Sequence, residues 1–203
     1  MEIFSVKLLD KNKKGLKIKF SKVNIRKLIK DQKYCEKIFR RYVKIKVLKE
    51  TDSKLFGKHL NKALSNLEFA NFILTEHDYS IKEKLPNKTF YDWCITIYYY
   101  SIYHIALALT TKVGYESKSH SATITVITLF YYHQDNILNK EDIDFLIEKI
   151  HLEREELDLV LDSKNLRERA CYGTDELFEL SQAKRLQEQT AEFVNRIKSL
   201  LEE

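Results

Sequence analysis

The stretch Trp93–Thr111, WCITIYYYSIYHIALALTT, runs nineteen residues without a Lys, Arg, Asp or Glu. That approaches the ~20 apolar residues that span a bilayer, so its reading decides the kind of fold. Tyr98, Tyr99, Tyr100, Tyr103 and His104 stand near its middle. Lipid would leave their polar tips without partners, and tyrosines in true spans prefer the interfaces. The segment reads instead as a central helix surrounded by other helices, and no membrane association is expected.

Outward from this helix, helical periodicity appears on both sides. On the N-terminal side, Leu60, Ala63, Leu64, Leu67, Asn71 and Leu74 recur at three and four, an almost wholly apolar helical stripe from Lys58 through His77. The sole proline, Pro86, falls in a polar loop, Asp78 to Lys88. On the C-terminal side, Gly114 supplies a helix stop, because a residue without Cβ takes the left-handed conformation freely. Ser119 to Gln134 is β-branched enough for a strand or a buried helix. Its length, with Ser119 or Ser121 as N-cap, favours helix. Ile143, Leu146, Ile147, Ile150, Leu157, Val160 and Leu161 outline a long amphipathic helix with acidic outer faces. A last helix carries Leu177, Leu180, Leu186, Phe193, Val194, Ile197, Leu200 and Leu201, with Gly173 as a break and Thr174 or Asp175 as cap. Five antiparallel helices with short links predict an all-α, up-and-down helical bundle over residues 58–202.

Composition agrees: of 203 residues, 44% are hydrophobic and only four are Gly and one Pro, a folded chain poor in turns. The net charge of +5 conceals an asymmetry. Residues 1–50 hold 17 Lys/Arg and 5 Asp/Glu, a net of +12; the remaining 18 and 25 leave −7. A basic N-terminal extension, residues 1–50, thus precedes an acidic body, with the boundary near Thr51 to Gly57. Such an extension is an electrostatic footprint for phosphates, a solvated Lys-rich surface, or an arm folded onto the acidic body. Leu16–Phe20 and Val43–Val47 alternate with period two while the residues between look helical, Ser21 being a candidate cap for a helix from Lys22 towards Lys33. Both readings stay open there.

Cys35, Cys94 and Cys171 are odd in number, widely spaced and without ligand spacing, so neither a disulfide framework nor a zinc site follows. A reducing, cytoplasmic setting is expected, with no secretory signal at Met1–Leu9 and no cofactor. Gly-rich phosphate loops, paired metal-spaced histidines and a Gly-flanked nucleophilic Ser are missing from the sequence.

What stands out are polar islands on apolar helices: Tyr98-Tyr99-Tyr100-Ser101-Ile102-Tyr103-His104-Ile105-Ala106, then Lys118-Ser119-His120-Ser121 after Gly114, and Leu166-Arg167-Glu168-Arg169-Ala170-Cys171-Tyr172-Gly173. In order and spacing these resemble the S-Y-Y-A-M-F-H, K-T-H-S and R-x-x-A-D-Y-G patterns of one branch of the HEPN superfamily, the higher eukaryotes and prokaryotes nucleotide-binding proteins. The resemblance covers roughly residues 58–202. It implies a helical bundle, a homodimer, an RNA or nucleotide ligand, and a place in a toxin-antitoxin or defence module beside a nucleotidyltransferase partner protein.

Many HEPN relatives are ribonucleases with an R-x(4 to 6)-H motif. Arg167 matches its arginine, but the histidine five positions later is Tyr172. Metal-independent cleavage by the 2′-hydroxyl needs an acid and a base near neutral pH, a task for imidazole and not for a phenol of pKa ~10. His104 and His120 take that role if the bundle sets them beside Arg167, with Lys118, Tyr100 and Tyr172 as ligand-binding groups. Three functions follow from these residues: a nucleotide- or RNA-binding protein, a ribonuclease with a degenerate R-x4-H site, or a non-catalytic bundle that docks a partner. The plainer alternative is that the tyrosines and His104 are packing residues, His120 a cap and Cys171 an apolar filler.

Overall fold

A computed structural model of the chain describes residues 23–86, 88–150 and 178–202. Arg167, Cys171, Tyr172 and the predicted helical positions Leu157, Val160 and Leu161 lie outside the described residues, as does the Leu16–Phe20 alternation.

Residues 23–50 form two helices and a strand that share the core with the rest of the chain. Helix α1 (Ile25–Lys30) starts at Asn24, whose side chain accepts from the Lys27 amide at 2.9 Å, where sequence pointed to Ser21. Asp31 ends α1 in extended backbone and caps α2 (Gln32–Lys44) by accepting from the Tyr34 amide at 2.9 Å. Of the readings left open, the helical one is met here by two helices and not one, since a residue that caps the second cannot continue the first. Leu28 and Cys35 are fully buried. The His133 Nε2–H donates to the Leu28 carbonyl at 2.7 Å, tying α1 to the body. Strand β1 (Leu48–Glu50) pairs antiparallel with β2 (Tyr115–Ser117), setting Lys49 opposite Glu116. Gly114, at φ +84°, makes the turn into β2.

Asp52 opens a 3-10 turn, Ser53–Leu55, that leads into α3 (Phe56–Glu76). The helical path then continues as a π-helical segment, His77–Ile81, and a short turn α4 (Lys82–Lys84). This corrects the loop expected from Asp78: only after Lys84 does the chain leave the helix, at Leu85, the residue that Pro86 sterically bars from it. Helix α5 (Tyr91–Lys112) is the central helix, with Ile95, Tyr98, Ile102, Ile105 and Leu109 all at or below 1% exposure. Helix α6 (His120–Ile127) runs on as a π-helix, Thr128–Gln134. Ser119 holds the N-cap position of α6, but its side chain makes no capping bond. Helices α7 (Lys140–Ile150) and α8 (Leu180–Glu202) complete an all-α helical bundle.

Register between α3 and α5 places the site. Ser101 Oγ donates to the Ala63 carbonyl at 2.7 Å and Cys94 Sγ to the Ala70 carbonyl at 3.8 Å, so the two helices run antiparallel with small residues where they meet. One end of α8 is held by Lys112 Nζ on the Leu201 carbonyl at 2.8 Å, a cation at a helix C-terminus. On α7, Asp142 and Asn139 cap one another reciprocally at 2.9 Å, and Arg196 of α8 binds both oxygens of the buried Asp142. No helix among the described residues is long and apolar enough to cross a membrane.

Candidate functional site

The α3–α5 register brings His59 against His104, Nδ1 to Nδ1 at 3.3 Å. The ring planes differ by 25° and the centres lie 5.6 Å apart, so the rings meet nitrogen to nitrogen along their edges. Two protonated Nδ1 atoms would repel, so one ring donates and the other accepts. Tyr103 packs beside His104, with centres 6.1 Å apart, and edge-on to His120 at 4.8 Å. The Tyr99 hydroxyl reaches His120 Nε2 at 3.3 Å. His120 belongs here because β2 carries the chain back from Gly114 along α5 before α6 begins. One chain of rings results, half-buried at His59, His104, Tyr103 and His120 and buried at Tyr99.

Burial pushes the His59 imidazole below its ordinary value, opposed by the charge of Glu116. His104 is also lowered, by burial first, then by His59 and the Lys62 ammonium. Both are neutral at pH 7, the form in which imidazole is a base. Tyr103 is pushed up by burial, so its phenol keeps its proton.

The other sequence-derived site residues distribute as follows. Tyr100 is 44% exposed, one turn before His104 on the same face, its ring edge-on to Tyr99 at 5.2 Å. Lys118 is exposed in the segment leading to His120. Arg167 and Tyr172 lie outside the described residues. His59 was not among the sequence-derived candidates.

Beyond Tyr100 the α3–α5 groove turns apolar. A cavity of about 390 Å³ is lined by Phe69, Ile73, Ile81, Phe90, Trp93 and Ile97, with Trp93 59% and Phe69 55% exposed. Elsewhere, Lys33, Lys37, Arg40 and Lys44 follow one another at four, three and four along α2 as an exposed basic ridge. Glu36 lies 3.6 Å from Arg40.

The cysteines and acidic groups offer less. Cys35 and Cys94 are buried thiols pushed up to about 12 by burial, hence protonated and inert. Among the described residues no three His, Cys, Asp or Glu side chains are grouped to hold a metal ion.

No family model matches the chain, and no curated protein is similar to it in sequence.

Proposed function

We propose that the chain is a HEPN-type helical bundle that binds RNA or a nucleotide at the ring cluster between α3, α5 and α6. The observation that carries this reading is the cluster itself: the histidines of two family-like islands, His104 and His120, flank one tyrosine ring, Tyr103. Imidazoles and phenols at half-buried positions donate to phosphate oxygens and stack on bases. Lys62 and Lys118 add cationic charge nearby, and the basic ridge on α2 suits a phosphate backbone. Binding of a fluorescein-labelled single-stranded RNA, followed by anisotropy across a salt series, tests it. Lys33→Ala, Lys37→Ala and Arg40→Ala together flatten the salt slope by about 0.7 for each phosphate that these side chains no longer neutralise. His104→Ala weakens binding at every salt concentration. No measurable affinity at low salt overturns the reading.

A second reading, metal-independent RNA cleavage, is favoured by the His59–His104 pairing, because a neutral imidazole pair places an acid and a base side by side. Incubating the labelled RNA in chelator across pH 5 to 9 tests it, and an intact RNA throughout excludes it. The homodimer and the nucleotidyltransferase partner belong to the same proposal. Light scattering of the purified chain tests the first, and co-purification with a neighbouring gene product tests the second.

A further inference from the structure

We infer that His59 and His104 form one proton-sharing unit, so that His59 is a functional partner of His104 in handling a hydroxyl proton of the RNA. As an activity, this rests on the cleavage reading; as a statement about protons, it stands by itself.

The geometry supplies the argument. At 3.3 Å, one Nδ1–H donates to the other Nδ1 lone pair. The accepting ring, if neutral, must carry its proton on Nε2, and the donating ring has a bare Nε2. Among the described residues no other hydrogen bond engages either ring, so both Nε2 atoms stay available at half-buried positions. The charged groups around the pair are few. Glu116 of β2 acts on His59, Lys62 of α3 acts on His104, and on the α5 and α6 side the neighbours are Tyr103 and then His120. Among the described residues no carboxylate sits close enough to either ring to accept from it, so the imidazoles have each other as partners.

The proton inventory then closes. The bare Nε2 takes the proton of a ribose 2′-hydroxyl as O2′ bonds to phosphorus. The Nδ1 proton of that ring crosses to the facing Nδ1. The second ring releases its Nε2 proton to water. The P–O5′ bond breaks, and the 5′-oxygen takes a proton from water, leaving a 2′,3′-cyclic phosphate and a 5′-hydroxyl. The pair is neutral before and after, with its tautomers exchanged. Hydrolysis of the cyclic ester, with the roles reversed, restores them. A lone half-buried imidazole would have to hold a full charge through the step; the pair passes it on.

Two measurements on the full chain test this. Long-range ¹H–¹⁵N spectra at pH 7 should show one of the two rings as the Nδ1–H tautomer and the other as Nε2–H. His104→Ala should change the tautomer and the titration of His59, because its Nδ1 partner is gone. Two rings that titrate independently, each unaffected by substitution of the other, overturn the proposal whether or not RNA is cut. The second measurement uses a single-stranded oligonucleotide with one ribonucleotide. His59→Ala and His104→Ala should each lower kcat/KM at least 100-fold, and the double variant no further than the worse single one. His59→Asn keeps a hydrogen-bonding amide but cannot pass a proton, and should not rescue. With His59 gone, the acid limb of the pH profile should move to higher pH, because His59 no longer depresses His104. Cleavage at wild-type rate in His59→Asn overturns the relay while leaving the ribonuclease reading intact. Spectra of a shared proton together with an uncut oligonucleotide would overturn the cleavage reading alone.

Discussion

Tyr98 and Tyr99 are neighbours on α5, and their hydroxyls end in opposite surroundings. Tyr98 is fully buried and donates to Asn71 Oδ1 at 2.7 Å, while Gln187 of α8 donates to the same oxygen at 2.9 Å. Three helices close on that oxygen, and burial pushes the phenol far above its ordinary value. Tyr99 turns instead to His120, in a row of rings that opens to solvent at Tyr100 and at the half-buried His59–His104 pair. The inward knot spends its polar atoms on holding helices together. At the far end of the outward row, the His59 and His104 rings bond to one another through Nδ1 and keep their Nε2 atoms for other work. The difference teaches where to look for chemistry: a polar group whose partners are all structural has no capacity left for a ligand.

Substitutions break the comparison if the two regions respond alike. The largest effect belongs to the core that carries both. Ile102 is fully buried on α5 between them, and Ile102→Ala should cost about 3 kcal/mol by the cavity it leaves, read as a lowered urea midpoint. Next comes the knot. Asn71→Leu removes the acceptor of two donors and leaves the buried Tyr98 hydroxyl without its partner, for about 2 kcal/mol. His104→Ala, in the half-buried row, should cost under about 1 kcal/mol in the same measurement and yet weaken RNA binding. If His104→Ala destabilises as much as Asn71→Leu, the row is packing and the division fails.

How far the sequence displayed this division depends on range. The periodic stripes of α3 and α8 and the uncharged run of α5 are local, and they outlined the bundle. Asn71 was visible as the polar interruption in an otherwise apolar stripe, and Tyr100, His104 and His120 as polar islands on apolar helices. His59 was invisible because its meaning is a register: it lies 45 positions from His104 and meets it only because Ala63 sits opposite Ser101 and Ala70 opposite Cys94. Nothing local marks a histidine in the first turns of a helix as a partner for another. The turn-back at Gly114 that brings His120 to Tyr99 is equally non-local, though the glycine that permits it was legible. The π-helical continuations of α3 and α6 leave no pattern that a 3.6-residue period would flag.

Acid sharpens the comparison by the smallest margin. His59 and His104 both titrate below the ordinary imidazole value, burial being the first cause for each. As pH falls through that ordinary value, near 6.5, the unfolded chain takes up protons that the folded pair refuses. The unfolded state then binds more protons, so stability that is complete above this pH declines as pH drops towards and through the folded values. Glu116 works against the effect at His59, and the partial exposure of both rings damps it further. Urea midpoints between pH 8 and pH 5 should therefore fall slightly more for the wild-type chain than for a His59→Phe, His104→Phe double variant. Asn71→Leu, which touches neither imidazole, should run parallel to wild type. Should the double variant also track wild type, the imidazoles are no more desolvated than free histidine, and the open row is as wet as bulk solvent. If instead Asn71→Leu flattens the curve, the two regions are coupled through α5, and the inward knot sets the proton affinity of the outward row.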